Sequence, residues 1–190
     1  MKRLYITIFI LFSGTLCATQ DSLYTAPTFF ARSFEGENFF LSNRIEQKKP
    51  FILSFFATWC VPCMKEMPIL DSINVANKGL DVYFVNVSGM EVGGVVMKEK
   101  TKDIEKIITA LDIRSTVLLD KYGKIAEKYG ISMLPALFLI NPAGSVIFSH
   151  TGYVPGDEKK LIDRLENLNK DYPGTIFVRP DIIKQSEDEK

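Results

Sequence analysis

The chain has 190 residues, 46% of them hydrophobic, which suits one globular domain with extensions built around a single core. Its 23 basic and 23 acidic residues balance. No basic cluster or aromatic-interleaved basic stripe is present, so nucleic-acid binding has no electrostatic basis, and partners are expected among proteins and thiols.

Met1-Lys2-Arg3 followed by the apolar stretch Leu4 to Leu16 reads as a signal peptide over residues 1–18, with cleavage after Ala18. The stretch is short for a membrane span, and an uncleaved anchor is the alternative. Cys17 leaves with the peptide, and Leu16 is a poor match for the small residue that precedes a lipidated cysteine. The mature chain then keeps Cys60 and Cys63. A secreted chain whose cysteines stand this close has no disulfide framework to build, so the pair is expected to react, in the periplasm or another extracytoplasmic compartment.

Residues 19–25 read as a flexible polar lead-in to a domain spanning 26–169. Phe29 to Phe34 and Phe39 to Leu41 predict two short strands around a turn at Glu35 to Asn38. Lys48-Lys49-Pro50 punctuates the way into a strand over 51–57, whose unbroken apolar character suits a centre buried on both faces. Trp59-Cys60-Val61-Pro62-Cys63 follows at the junction with a helix that starts at Cys60 and ends at Asn77-Lys78-Gly79. Pro62 is tolerated in its first turn, whereas Pro68 should bend it. Asp81 to Val87 is the next strand and Ser88 to Gly94 a Gly-rich loop. Ile104, Ile107, Ile108 and Leu111 have the spacing of one buried helix face. Val117 to Asp120 reads as a short strand and Tyr122 to Tyr129 as one or two helical turns. Ala136–Ile140 and Ser145–His150 form an antiparallel hairpin, and Asp157–Leu168 an amphipathic closing helix. The tail over 170–190 is expected to be at least partly disordered, with Ile176-Phe177-Val178 able to dock first.

The Trp59-Cys60-Val61-Pro62-Cys63 frame, the following Met64-Lys65-Glu66-Met67-Pro68 and the segment Tyr129 to Ile140 with its turn Asn141-Pro142-Ala143-Gly144 carry a family likeness. Over roughly Ala26 to Leu168 the chain resembles the thioredoxin superfamily, specifically its extracytoplasmic TlpA/ResA-type thiol-disulfide oxidoreductases. The resemblance implies an α/β thioredoxin-like fold: a central mixed β-sheet flanked by helices, with an N-terminal β-hairpin and a helix-strand insertion between about Ser88 and Leu119. It also implies that Pro135 is cis and faces the cysteines, with Leu134 offering backbone groups to an extended substrate.

Two thiols at a helix N-terminus suit thiol–disulfide exchange, because partial positive charge there favours a thiolate. Cys60 is expected to be the outward nucleophile and Cys63, one turn further in, the more buried resolving thiol. A permanent structural disulfide is disfavoured, since so short a ring removes little chain entropy. Zinc would need about four soft ligands, and only His150 remains after the two cysteines, so neither metal nor cofactor is expected. His150 itself reads as an ordinary surface or edge residue. Val61-Pro62 adds no charge between the cysteines, which points to a reducing couple.

Where cytosolic thioredoxins carry a buried aspartate this chain has Ser54. Glu66 matches the glutamate that TlpA/ResA-type proteins place near the dithiol, which implies a proton-handling role; a solvent-exposed helix glutamate is the alternative. Trp59 is expected to shield one side of the pair. Ala136 departs from the threonine common after the family's proline, which bears on substrate preference.

The leading expectation is a monomeric protein-disulfide reductase, with apocytochrome c or other periplasmic dithiols as substrates and a membrane thiol-redox electron donor, both implied by resemblance. A disulfide oxidase or isomerase and a client-peptide binding module with secondary redox activity stand as alternatives. A peroxidase is disfavoured, because no separate peroxidatic Thr-x-x-Cys arrangement is present.

Overall fold

The computed structural model describes residues 24–173 except 93–94 and 155. The signal peptide expected over 1–18 and the tail beyond 173 lie outside the described residues. In chain order the elements are β1 (Tyr24–Thr25), β2 (Phe30–Ser33), β3 (Asn38–Phe40), α1 (Leu41–Glu46), β4 (Phe51–Phe56), α2 (Val61–Ala76), β5 (Asp81–Val87), β6 (Met90–Val92), β7 (Val95–Met97), α3 (Thr101–Ala110), β8 (Thr116–Asp120), α4 (Lys124–Lys128), β9 (Ala136–Ile140), β10 (Ser145–Thr151) and α5 (Asp157–Asp171).

Eight strands form one mixed sheet in the order β1-β10-β9-β4-β5-β8-β2-β3. The pairs β4–β5 and β5–β8 are parallel, and β4–β9 and β9–β10 are antiparallel. All six residues of β4 are buried, as expected of a strand covered on both faces. The pleat sends alternate residues to two cores. Ile52, Phe56, Leu137 and Leu139 join Cys63, Met67 and Leu70 of α2 and Leu161 and Leu165 of α5. Phe51, Leu53, Phe55, Phe138 and Ile140 face the other way, onto the N-terminal segment, α1 and α4.

Three expectations need correction. The lead-in is not wholly flexible, because Tyr24 and Thr25 pair with Val146 and Ser145 on the edge of β10. The stretch Ser88 to Gly94, read as a Gly-rich loop, carries β6, which pairs antiparallel with β7 just beyond it, where Val95 and Val96 are exposed. Helix α1 was not foreseen. It buries Leu41 and Arg44, whose guanidinium pairs with Asp81 and lies over the Phe51 and Tyr83 rings at 5.8 and 5.9 Å.

Helix α2 continues through Pro68, and α5 runs three residues past the expected end, to Asp171. Among the described residues no helix is long and apolar enough to cross a membrane.

The β9–β10 connection positions the last strand. Asn141 Oδ1 accepts from the amides of Ala143 (3.0 Å) and Ser145 (2.9 Å), an Asx-type turn. Gly144 has φ +83°, and a Cβ there would stand 2.9 Å from Ile45, so only glycine fits. The register then shifts between Val146, opposite Ile140, and Phe148, opposite Leu139. This β-bulge transfers the strand's side chains from one sheet face to the other.

Candidate active site

The apolar strand β4 delivers the chain to α2 through a tight connection in which the Cys60 amide bonds to the Ala57 carbonyl (3.0 Å). Cys60 is the N-cap of α2: its backbone is extended, and its Sγ accepts from the Cys63 amide at 3.3 Å. Pro62 sits in the first turn, where its missing amide costs nothing. Cys60 and Cys63 are joined in a disulfide with their Cα atoms 5.3 Å apart. The helix N-terminus supplies the partial positive charge that stabilises sulfur anion at the N-cap when the bond is open.

Cys60 is more open than Cys63, but only slightly, at 4% against 1% exposure. The outward sulfur expected of Cys60 is therefore nearly covered in the oxidised state. Trp59 and Leu134 pack against the apolar cluster that holds both cysteines. The rim is apolar and open, with Val61 69% and Met133 57% exposed.

The Leu134–Pro135 peptide is cis. The Pro135 carbonyl is taken by the Gly152 amide at 2.8 Å, whereas among the described residues the Leu134 backbone groups have no partner. An unpaired amide and carbonyl beside an apolar rim are what an extended peptide needs in order to add a strand. The Trp59 indole nitrogen is likewise buried without a partner among the described residues.

Glu66 lies one turn beyond Cys63 on the same helix and is 5% exposed, so the solvent-exposed alternative does not hold. Its Oε2 accepts from the Ser54 hydroxyl at 3.3 Å. Its Oε1 stands 3.1 Å from Nε2 of His150, close enough for an ion pair but off the line of a well-formed hydrogen bond. Ser54, the residue in place of the thioredoxin aspartate, therefore supports a carboxylate instead of supplying one.

His150 is a correction. The side chain is 17% exposed and faces α2, not solvent. Plain alternation through β10 would place it on the other sheet face; the bulge before Phe148 turns it inward. A second group missed by the sequence reading is Glu99, which follows β7 within the charged run Lys98-Glu99-Lys100. Its Oε2 accepts from the Thr58 amide (2.9 Å) and the Asn86 side chain (3.1 Å), and its own amide donates to Ser88 Oγ (3.0 Å). It ties the loop before Cys60 to the end of β5. No sequence signal marks it, because the partners come from two segments far from it in the chain, Thr58 and Asn86 with Ser88.

Three comparisons bear on this geometry. The family model described as AhpC/TSA family matches residues 24–149. The chain is 29% identical over 124 residues to the thiol-disulfide oxidoreductase ResA of Bacillus thuringiensis subsp. konkukian, covering 64% of this chain and 65%, a little under two thirds, of that relative. It is 28% identical over 167 residues to the sporulation thiol-disulfide oxidoreductase A of Bacillus subtilis, covering 84% of this chain and 95% of that one. Among solved structures, StoA of Bacillus subtilis superposes with a TM-score of 0.56 at 25% identity, over 72% of this chain and 96% of that one. A thioredoxin-like protein from Porphyromonas gingivalis gives 0.60 at 26% identity, over 76% and 91%. The fold is thioredoxin-like.

Proposed function

The chain belongs to the AhpC/TSA family, and from that premise we propose that it is an extracytoplasmic thiol-disulfide oxidoreductase whose working direction is reduction of protein disulfides. The observation that carries the reading is the Cys60–Cys63 disulfide at the N-terminus of α2, with Cys60 Sγ at the cap. The names of the relatives, thiol-disulfide oxidoreductases, support the same chemistry.

In the reduced protein the Cys60 thiolate attacks one sulfur of a substrate disulfide. A Cys60–substrate mixed disulfide forms, and the other substrate sulfur leaves as a thiolate and is protonated. Cys63 loses its proton and attacks Cys60 Sγ, the second substrate thiolate leaves, and the Cys60–Cys63 disulfide closes. Two electrons have passed to the substrate, and an external dithiol must return them. By the TlpA/ResA resemblance that donor is a membrane thiol-redox protein, and apocytochrome c cysteines or other periplasmic dithiols are the substrates.

Leu134 and Pro135 hold the substrate backbone across Cys60, with Trp59 as a wall. Glu66, buried behind Cys63, takes and returns the Cys63 proton. Reducing character follows from Val61-Pro62, which offers nothing to stabilise the Cys60 thiolate beyond the helix terminus.

Equilibration with a dithiothreitol or glutathione series tests direction. The expected potential lies nearer about −270 mV, the thioredoxin end, than about −120 mV, the strongly oxidising end. A value at the oxidising end transfers the reading to an oxidase or isomerase. Cys63→Ser should accumulate mixed disulfides on Cys60, and Cys60→Ser should abolish exchange; a Cys60→Ser protein with full function would leave only the peptide-binding module.

A further inference from the structure

A buried acid that handles a proton must exchange that proton with water. Glu66 is 5% exposed, and Ser54, one of its two contacts, is 1% exposed. Its other contact, His150, is the more open at 17%. The two side chains share a small cavity with apolar walls from Leu70 of α2, Leu137 of β9 and Leu161 of α5. The Tyr153 phenol, just past β10, is the further titratable group on that wall. The Phe148 ring lies 5.9 Å from the imidazole, and Nδ1 of His150 has no partner among the described residues.

We infer that His150 is a positioning residue for Glu66, holding its carboxyl and relaying its proton between the buried dithiol and solvent. The inference rests on the Glu66 reading above. When an external thiolate attacks Cys60 Sγ, the S–S bond breaks and Cys63 leaves with the electron pair. Glu66 gives Cys63 a proton, His150 replaces it through Nε2, and water replaces the proton on His150. In substrate reduction the same proton runs outward. His150 touches neither cysteine in this scheme and acts only through Glu66. The β10 bulge brings it to this face of the sheet.

Rates of disulfide reduction by dithiothreitol, followed through the single tryptophan, Trp59, test the inference from about pH 5 to pH 9, the range over which carboxyl, imidazole and thiol groups titrate. The variants are His150→Gln, His150→Phe, Glu66→Gln and the double variant Glu66→Gln with His150→Gln. General acid–base groups contribute about 10²–10⁴-fold, and loss of the relay is expected to slow reduction about tenfold at pH 7 and remove one limb of the profile. His150→Phe keeps ring volume and should behave as His150→Gln, which separates proton transfer from packing. The double variant should match Glu66→Gln alone. If both His150 variants superimpose on wild type while Glu66→Gln does not, the relay is overturned and the Glu66 reading survives. If Glu66→Gln itself superimposes on wild type, both fall. Losses that multiply in the double variant also overturn the relay.

Discussion

Helix α2 buries two carboxylates to the same extent, Glu66 and Asp71 at 5% exposure each, and treats them in opposite ways. Asp71 Oδ1 accepts from the Arg114 amide (3.0 Å), the Ser115 amide (2.8 Å) and the Ser115 hydroxyl (2.6 Å). Two of those donors are backbone groups that cannot turn away, and together they pin the helix to the start of β8. Glu66 has one long bond to a rotatable hydroxyl and an off-line contact with an imidazole. On the role proposed for Glu66, burial alone does not mark a working acid. Saturation by fixed donors makes a carboxylate structural, and sparse contact with movable, titratable partners leaves it able to change its protonation.

The contrast breaks most directly on stability. Asp71→Ala strands three donors, two of them on the buried Ser115, and is expected to cost about 3 kcal/mol in urea denaturation. The exchange rate of the folded fraction should stay at the wild-type value. A loss below about 1 kcal/mol would mean that water replaces the carboxylate easily and that the two sites differ less than their geometry implies.

Glu66→Gln should do the reverse. Its stability should lie within about 1 kcal/mol of wild type, since the amide keeps the carboxyl's shape and the acceptor for Ser54. Its exchange rate should lose part of its pH dependence. Superimposable pH profiles would return Glu66 to the same class as Asp71.

Asp120 sharpens the comparison as an intermediate case. It is buried and accepts from the amides of Ile125 (3.0 Å) and Ala126 (2.9 Å) at the start of α4. Burial pushes its carboxyl above the ordinary range, and those backbone donors only partly oppose this. An acid raised in the folded state holds more protons folded than unfolded. Its contribution to stability is thus greatest in acid and is lost as pH rises above the ordinary aspartate range of about 4. The stability difference between wild type and Asp120→Asn, measured by denaturation at several pH values, should shrink as pH rises through that window. A difference that grows instead would show that the backbone donors outweigh burial.

Much of the layout was legible because the central strands are long apolar runs. Asp81 to Val87 matches β5 residue for residue, and the β9–β10 hairpin is announced by Asn141 to Gly144. Elements that owe their form to neighbours were not legible. Strand β1 is two exposed residues that exist as a strand only because β10 offers an edge. Helix α1 is six residues long with no side-chain cap at Phe40, too short to show a period. The β6–β7 pair was hidden by reading Gly93-Gly94 as loop composition, although two such residues between Val92 and Val95 are a hairpin signature. Within the candidate site, Cys60 and Cys63 were proposed from their motif, and Glu66 and Pro135 from the family resemblance. His150 and Glu99 were not, because their partners are distant in sequence and become neighbours only through folding.

The bulge in β10 makes the company that His150 keeps a matter of counting, not of composition. Removing Ser149, between Phe148 and His150, would set the imidazole opposite Phe138 and carry it through the sheet to the opposite layer, whereas removing the extra residue, Ile147, would restore strict alternation and leave it opposite Leu137. A length change of one between the bulge and His150 would uncouple the histidine from α2 as fully as replacing it. Insertions and deletions there therefore act as chemical substitutions at a residue they never touch: deletion of Ser149 should reproduce the exchange profile of His150→Gln, and deletion of Ile147 that of wild type.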